Sequence, residues 1–372
     1  MTKNLHCRRA FLARASAIVA AGSLPLSGCS EDGGKAYESA VAETWRPGPA
    51  QMPAAPDFAE LIRLATLAAS SHNTQPWKFS LRGNEIAILP DRTRRCAVVD
   101  PEDAHLYRSL GCAAENLVHA AAAQGLAATP RYDAAADAVI VTLEPSASAK
   151  ATDLYLAIPN RQCTRNRYDG RAAPADVLAQ LERAAAGNGV RGVVVTDRAT
   201  IDKVTELVAE GNRRQIGDPK FMAELAEWIR FNDAEALATR DGLTGRASGS
   251  PSAPRWLGKL FLRFAFSADK QNEKDVRNLA SSAGVLVFAA EADDKAAWVE
   301  AGRCYERFAL TATALGIRNA FVNQPVEVRE LKPQLESLVK GAGHAQLVAR
   351  FGYGSEMPRS LRRPVSAVMA AS

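Results

Sequence analysis

The sequence predicts an α+β fold built twice over within one chain, a pseudo-dimer in a single polypeptide. Three observations predict it. Short apolar strands alternate with helices through both halves. Two long helices carry matching residues: Gly111, Glu115, Ala121, Ala123 and Gly125 recur as Gly302, Glu306, Ala312, Ala314 and Gly316 at one constant offset. The 372 residues, 47% apolar and 23% charged, supply enough material for two domains or one large double one.

The first half is expected over 57–150. Asp57 and Glu60 make a capping-box-like helix start, followed by Phe58, Leu61, Ile62 and Ala65 at helical spacing. Lys78–Arg82 and Glu85–Leu89 flank Gly83-Asn84 and read as a β-hairpin. Asp100-Pro101-Glu102-Asp103 opens a helix that runs to about Gln124 and stops at Gly125. Val139–Leu143 is a strand. The second half, 151–372, repeats the grammar. Val190–Val195 is a strand, and Val204–Phe231 is mostly helical. Asp233–Pro254 reads as a long loop or lid. Val285–Ala289 is a buried strand, Trp298–Leu315 a helix ended by Gly316, and Leu347–Phe351 the last strand.

Residues 1–29 read as an export signal rather than as fold. Arg8-Arg9-Ala10-Phe11-Leu12 is a twin-arginine pair, and the apolar stretch from Ala15 to Leu26 is too short for an ordinary membrane-spanning helix. Leu26-Ser27-Gly28-Cys29 resembles a lipobox, with Cys29 the lipidated residue; a simple signal peptide with an incidental cysteine is the alternative. Residues 30–56, polar and rich in Gly, Pro and Ala, then read as a flexible tether. The expected location is extracytoplasmic or periplasmic, reached by the twin-arginine route and anchored to a membrane. Four cations of the formal +5 charge, Lys3, Arg8, Arg9 and Arg14, lie in the signal with no acid beside them. The remainder is close to neutral, which excludes an electrostatic footprint for nucleic acid. Cys96, Cys112, Cys163 and Cys304 show no CxxC and no metal-like spacing with histidine, so they read as small buried thiols.

Ser70-Ser71-His72-Asn73-Thr74-Gln75-Pro76-Trp77 is the most informative stretch. It offers hydroxyl, imidazole and amide side chains between a helix and a strand. Such a loop can satisfy a heteroaromatic ring with alternating donors and acceptors; a capped turn with a buried Trp77 is the plainer reading. The segment resembles the Ser-x-x-Asn-x-Gln-Pro-Trp signature of the nitroreductase family, and its wording is similar to the Acg-type, FMN-binding subgroup. Arg161-Gln162-Cys163-Thr164-Arg165 resembles the family's Arg-x-Ser-x-Arg/Lys motif, with Cys163 in place of the serine. Phe321-Val322-Asn323-Gln324-Pro325 resembles the stretch whose backbone lies beside the flavin ring. Arg359-Ser360-Leu361-Arg362-Arg363-Pro364 resembles the C-terminal segment that supplies a phosphate-binding arginine.

The resemblance implies FMN as cofactor, held by Ser70, Ser71, His72, Asn73, Gln75, Arg161, Cys163, Thr164, Arg165, Asn323, Gln324, and Arg362 or Arg363. Arg161 and one of the last pair would take phosphate, and Arg165 would face the region that becomes anionic on reduction. The Asn-Gln-Pro-Trp loop occurs only in the first half and the Arg-x-Cys-x-Arg motif only in the second. One site, one FMN and a monomer are therefore expected. The implied activity is reduction of a small organic acceptor, nitroaromatic or quinone-like, from an electron donor the sequence does not identify. The alternative is a non-catalytic protein that holds or sequesters FMN, because export separates the chain from cytoplasmic NAD(P)H.

Overall fold

The computed structural model describes residues 28–49, 53 and 55–370. The twin-arginine pair lies outside the described residues, as does the side chain of Cys29.

The chain enters the fold earlier than expected. Helix α1, Gly28–Thr44, occupies much of the stretch read as a tether. Tyr37 and Ala40 pack with Ala236 and Leu361, and Trp45 joins the main core. Tyr37 donates its hydroxyl to the Arg359 carbonyl at 2.7 Å, and the Trp45 indole N–H donates to the Ser360 carbonyl at 2.8 Å. Two buried aromatic rings, each with its polar tip satisfied, outweigh a composition that favours a tether. The tether expected over 30–56 is thus corrected, because 30–44 is helical and docks on the C-terminal segment.

The first half contains α2 (Phe58–Thr66), β1 (Trp77–Arg82), β2 (Glu85–Pro90), α3 (Ala104–Ala123), β3 (Leu126–Asp133) and β4 (Ala138–Pro145). Asp57 caps α2, its carboxylate accepting from the Glu60 amide at 3.0 Å. β1 and β2 pair antiparallel across Gly83, whose φ of 58° permits the tight turn. Helix α3 starts one turn later than the Asp-Pro-Glu-Asp signal, because Asp103 takes a left-handed φ of 63° and Asp100 accepts from the Leu106 amide instead. β3 was not anticipated. It is an edge strand, which tolerates Pro130.

The second half contains α4 (Ala175–Ala184), β5 (Val190–Val195), α5 (Arg255–Phe264), β6 (Gly284–Ala290), α6 (Lys295–Ala314), β7 (Arg318–Phe321) and β8 (His344–Gly352). Both four-stranded sheets run in the same order, first, second, fourth, third, and in both a long helix links the second strand to the third. The topology therefore repeats as the helix matches predicted. The halves differ in one connection. Gly83-Asn84 joins the first two strands of one half, whereas residues 196–283 join those of the other and carry helices Arg198–Gly217, Pro219–Trp228 and Ala268–Ala280.

Helices α3 and α6 cross at the centre of one core that unites both halves, with Leu110 and Leu117 on one side and Tyr305 and Phe308 on the other. Gly111 and Gly302 set their separation. A Cβ on Gly111 would stand 2.0 Å from the Val299 carbonyl oxygen, and one on Gly302 1.9 Å from that of Arg108. Glycine costs about 1 kcal/mol inside a helix relative to alanine; here it permits backbone contact that any side chain would block. Gly302→Val is expected to destabilise the protein by about 3 kcal/mol, the upper end for overpacking, read as a lower urea midpoint. An unchanged midpoint would mean that the helices do not meet here.

Candidate functional site

The loop between α2 and β1 is held in an unusual backbone conformation. His72, Asn73 and Gln75 all take positive φ, between 48° and 54°. Residues without a glycine's freedom stay there only when the surroundings hold them, and such strain gathers at functional sites. The clamps are visible. The Asn73 side-chain amide donates to the carbonyls of Gly242 and Leu361, at 3.0 and 3.2 Å. Gln75, fully buried, donates to the Arg240 carbonyl and accepts the Arg363 amide. The Ser70 hydroxyl accepts from the Gln75 amide.

These clamps draw four segments around a cleft of about 630 Å3. The strained loop contributes Ala69, Ser70 and Asn73, and the Arg-x-Cys-x-Arg segment contributes Arg161 to Cys163 and Arg165. Gly242 to Thr244 with Ala247, and Pro358 to Ser360 with Arg362, complete the walls, together with Trp45 and Phe321. A smaller space of about 330 Å3 shares Ala69, Ser70 and Phe321 with it and adds Ser71, His105, Arg108, Ser109, Cys112 and Asn323.

The cleft is electropositive. Arg161, Arg165, Arg359 and Arg362 line it, and no carboxylate does among the described residues. Glu306 stands behind the wall. Its carboxylate lies 2.9 Å from Arg161 Nε and accepts the Ala69 amide at 3.2 Å. Burial alone would push the Arg161 guanidinium down, but the Glu306 carboxylate more than offsets it and keeps the arginine charged. Among the described residues, two buried atoms on cleft-lining side chains have neither a hydrogen-bond nor an ion-pair partner: Arg161 Nη1 and Asn73 Oδ1. Arg165 makes no ion pair among the described residues.

Two Mycobacterium tuberculosis proteins align along nearly the whole fold. "Putative NAD(P)H nitroreductase Rv3131" is 28% identical over 338 residues, covering 87% of this chain and 94% of its own. "Putative NAD(P)H nitroreductase acg" is 24% identical over 327 residues, covering 82% and 93%. The chain is thus similar in sequence to two proteins named as nitroreductases. No family model matches the chain. Among solved structures, a nitroreductase with bound FMN from Bacteroides fragilis has 15% identity and a TM-score of 0.35, covering 57% of this chain and 96% of its own. One with bound FMN from Desulfitobacterium hafniense has 12% identity and a TM-score of 0.38, covering 59% and 98%.

The structure gathers Ser70, Asn73, Arg161, Cys163, Arg165 and Arg362 on the main cleft, and Ser71 and Asn323 on the adjoining one. Five other expected residues line neither. Gln75 and Arg363 are clamps, the Arg363 guanidinium donating to the Gln75 and Ala367 carbonyls. Thr164 is buried, with its amide on the Asn319 carbonyl. Gln324 donates to Asn212. His72 faces Cys96, and burial together with nearby Arg165 holds it down at about 4, so it is neutral at pH 7. Arg362 reaches the cleft but is already committed: it donates to the carbonyls of Thr66, Leu67 and Ala68, closing the end of α2. Burial, then Arg161, pushes it down to about 9.

The expected lid over 233–254 is instead structured. It forms helix Asp233–Thr239, a short strand Leu243–Thr244 and helix Gly245–Ser248, and 242–247 is part of the cleft wall. Gly242 was the available signal. Its φ of 75° and its packing against the Trp228 carbonyl exclude a side chain. Trp45, Gln162 and Arg359 were also missed. Glu306→Gln would leave Arg161 buried without its counter-charge, and is expected to cost about 3–5 kcal/mol of stability. Urea unfolding at pH 7 measures this, and a loss under about 1 kcal/mol would show that the pair is solvated.

Proposed function

We propose that this chain is an exported FMN-dependent oxidoreductase of nitroreductase type, reducing a nitroaromatic or quinone-like acceptor at one cleft per chain. The observation that carries the reading is the cleft's stock of unspent polar groups. Among the described residues Arg165 has no counter-ion, and Arg161 Nη1 and Asn73 Oδ1 have no partners, on walls drawn from both halves. A ligand with a phosphate and a polar heteroaromatic ring uses all three. The residues present thus fit FMN, and similarity to named nitroreductases supports the same reading.

When bound, FMN supplies the hydride chemistry. The protein's part is to bind, orient and exclude water. Arg161, kept cationic by Glu306, would take the phosphate. Arg165 would favour the anionic reduced state. Asn73 and Ser70 would meet the polar edge of the ring, and Trp45, Leu243 and Phe321 would supply apolar wall. Asn323 lines the adjoining space and belongs to the motif that resembles the family's ring-contacting stretch. Arg8-Arg9 and Leu26-Ser27-Gly28-Cys29 support export and lipid anchoring. An exported chain needs a membrane or periplasmic electron donor in place of cytoplasmic NAD(P)H.

The purified protein is expected to be yellow, to bleach anaerobically with a quinol or NAD(P)H, and to reoxidise with a nitroaromatic or quinone. A yellow protein that resists both reductants would support FMN sequestration instead, and a colourless one would sink the flavin reading. Arg165→Ala is expected to lower the midpoint potential of the bound flavin by about 30–60 mV, the equivalent of a lost charge-assisted hydrogen bond of about 1.5–3 kcal/mol. An unchanged potential would remove Arg165 from the flavin's surroundings.

A further inference from the structure

Away from the cleft, helix α5 carries an unpartnered apolar face. Trp256, Leu257, Leu260, Phe261 and Phe264 are all exposed, the three aromatics at 70%, 61% and 71%. At about 100° per residue these five positions fall within one arc of the helix. The opposite arc carries Gly258 and Leu262, both buried. A Cβ on Gly258 would stand 2.1 Å from the Phe231 ring, so the helix lies flat on the protein only because residue 258 is glycine. The apolar arc therefore points directly outward. So many neighbouring large apolar side chains left in water mark an interaction site.

The charges on the helix select the partner. Arg255, Lys259 and Arg263 run along one side of the helix, with Arg263 at the edge of the apolar arc, and α5 contains no acid. Arg255 pairs with Glu227 and Glu235, and Lys259 with Glu227. Arg263 is exposed, makes no ion pair among the described residues, and lies 5.2 Å over the Phe264 ring. A symmetric contact with a second copy would bring two Arg263 guanidiniums, unpaired among the described residues, to one interface. An anionic headgroup layer complements them, while the aromatic face enters the acyl boundary. No helix among the described residues is long and apolar enough to cross a membrane, so the fitting geometry is one that lies in the interface.

We propose that α5 docks this protein on an anionic lipid surface, independently of any lipid at Cys29. The test uses the full chain carrying Cys29→Ala, so that no lipid anchor contributes. It is sedimented with vesicles of phosphatidylglycerol or of phosphatidylcholine. The expected result is retention on phosphatidylglycerol and weak retention on phosphatidylcholine. Trp256→Ser with Phe261→Ser and Phe264→Ser is expected to weaken retention about tenfold or more. Lys259→Glu with Arg263→Glu should also weaken it with the apolar face intact, and an unchanged melting temperature in either variant certifies the fold. Equal retention on both lipids, retention that neither variant reduces, or a lipid-free dimer dissolved by the variants without any vesicle binding overturns the proposal.

Discussion

The crossing of α3 and α6 at Gly111 and Gly302 is the constraint on which the rest of the molecule depends. Two helices in backbone contact leave no freedom in how the halves are placed. They also place Glu115 and Glu306, each four residues beyond its glycine, at matching positions on either side of the crossing. Each glutamate is buried and each needs a cation. Glu306 finds Arg161 and the Ala69 amide, and so fixes two walls of the cleft. Glu115 finds Arg303 and Arg307 from the facing helix, with His119 close by. Burial alone would raise the Glu115 carboxyl, but His119 and the two arginines outweigh it and hold it at about 2.

That divergence makes the two sides of a twofold topology unequal, and the arginine-lined cleft lies on the Glu306 side. On the Glu306 side, residues 67–76 form a long strained loop between α2 and β1. On the Glu115 side, α4 passes to β5 through residues 185–189 alone. Arg307 spans from Glu115 to the Ala186 carbonyl and so ties this short turn to the facing helix. The connection over 196–283 adds a further asymmetry, since Gly242 to Thr244 and Ala247 wall the arginine-lined cleft. Its cost is distributed across clamps: Asn73, Gln75 and Arg363 tie the strained loop to that wall and to the C-terminal segment.

Much of this was legible in the sequence, for local reasons. The Gly83-Asn84 turn, the Asp57 cap and the stops at Gly125 and Gly316 each follow from a backbone requirement confined to a few residues. The helix matches anticipated the repeated sheet order because the matching glycines sit at the point of closest approach. Features set by distant contacts were not legible. Tyr37 and Trp45 look like residues of a tether until Arg359 and Ser360 are seen to accept their polar tips. Arg362 looks like a free fork for phosphate until the end of α2 is seen to consume its donors. Gln75 and Asn73 share a motif, yet one is wholly committed to the scaffold while the other, on a cleft-lining residue, keeps an amide oxygen without a partner among the described residues. Spacing alone does not separate a ligand from the residue that holds it.

The proposed function leaves one of two pseudo-equivalent sites able to hold flavin. Its most direct test is the stoichiometry of flavin released by denaturing the protein after reconstitution with excess FMN and removal of unbound cofactor. Fluorescence of the released flavin against chain concentration is expected to give one FMN per chain. Two per chain would contradict the account, because the Glu115 side would then bind despite its short, arginine-tied turn.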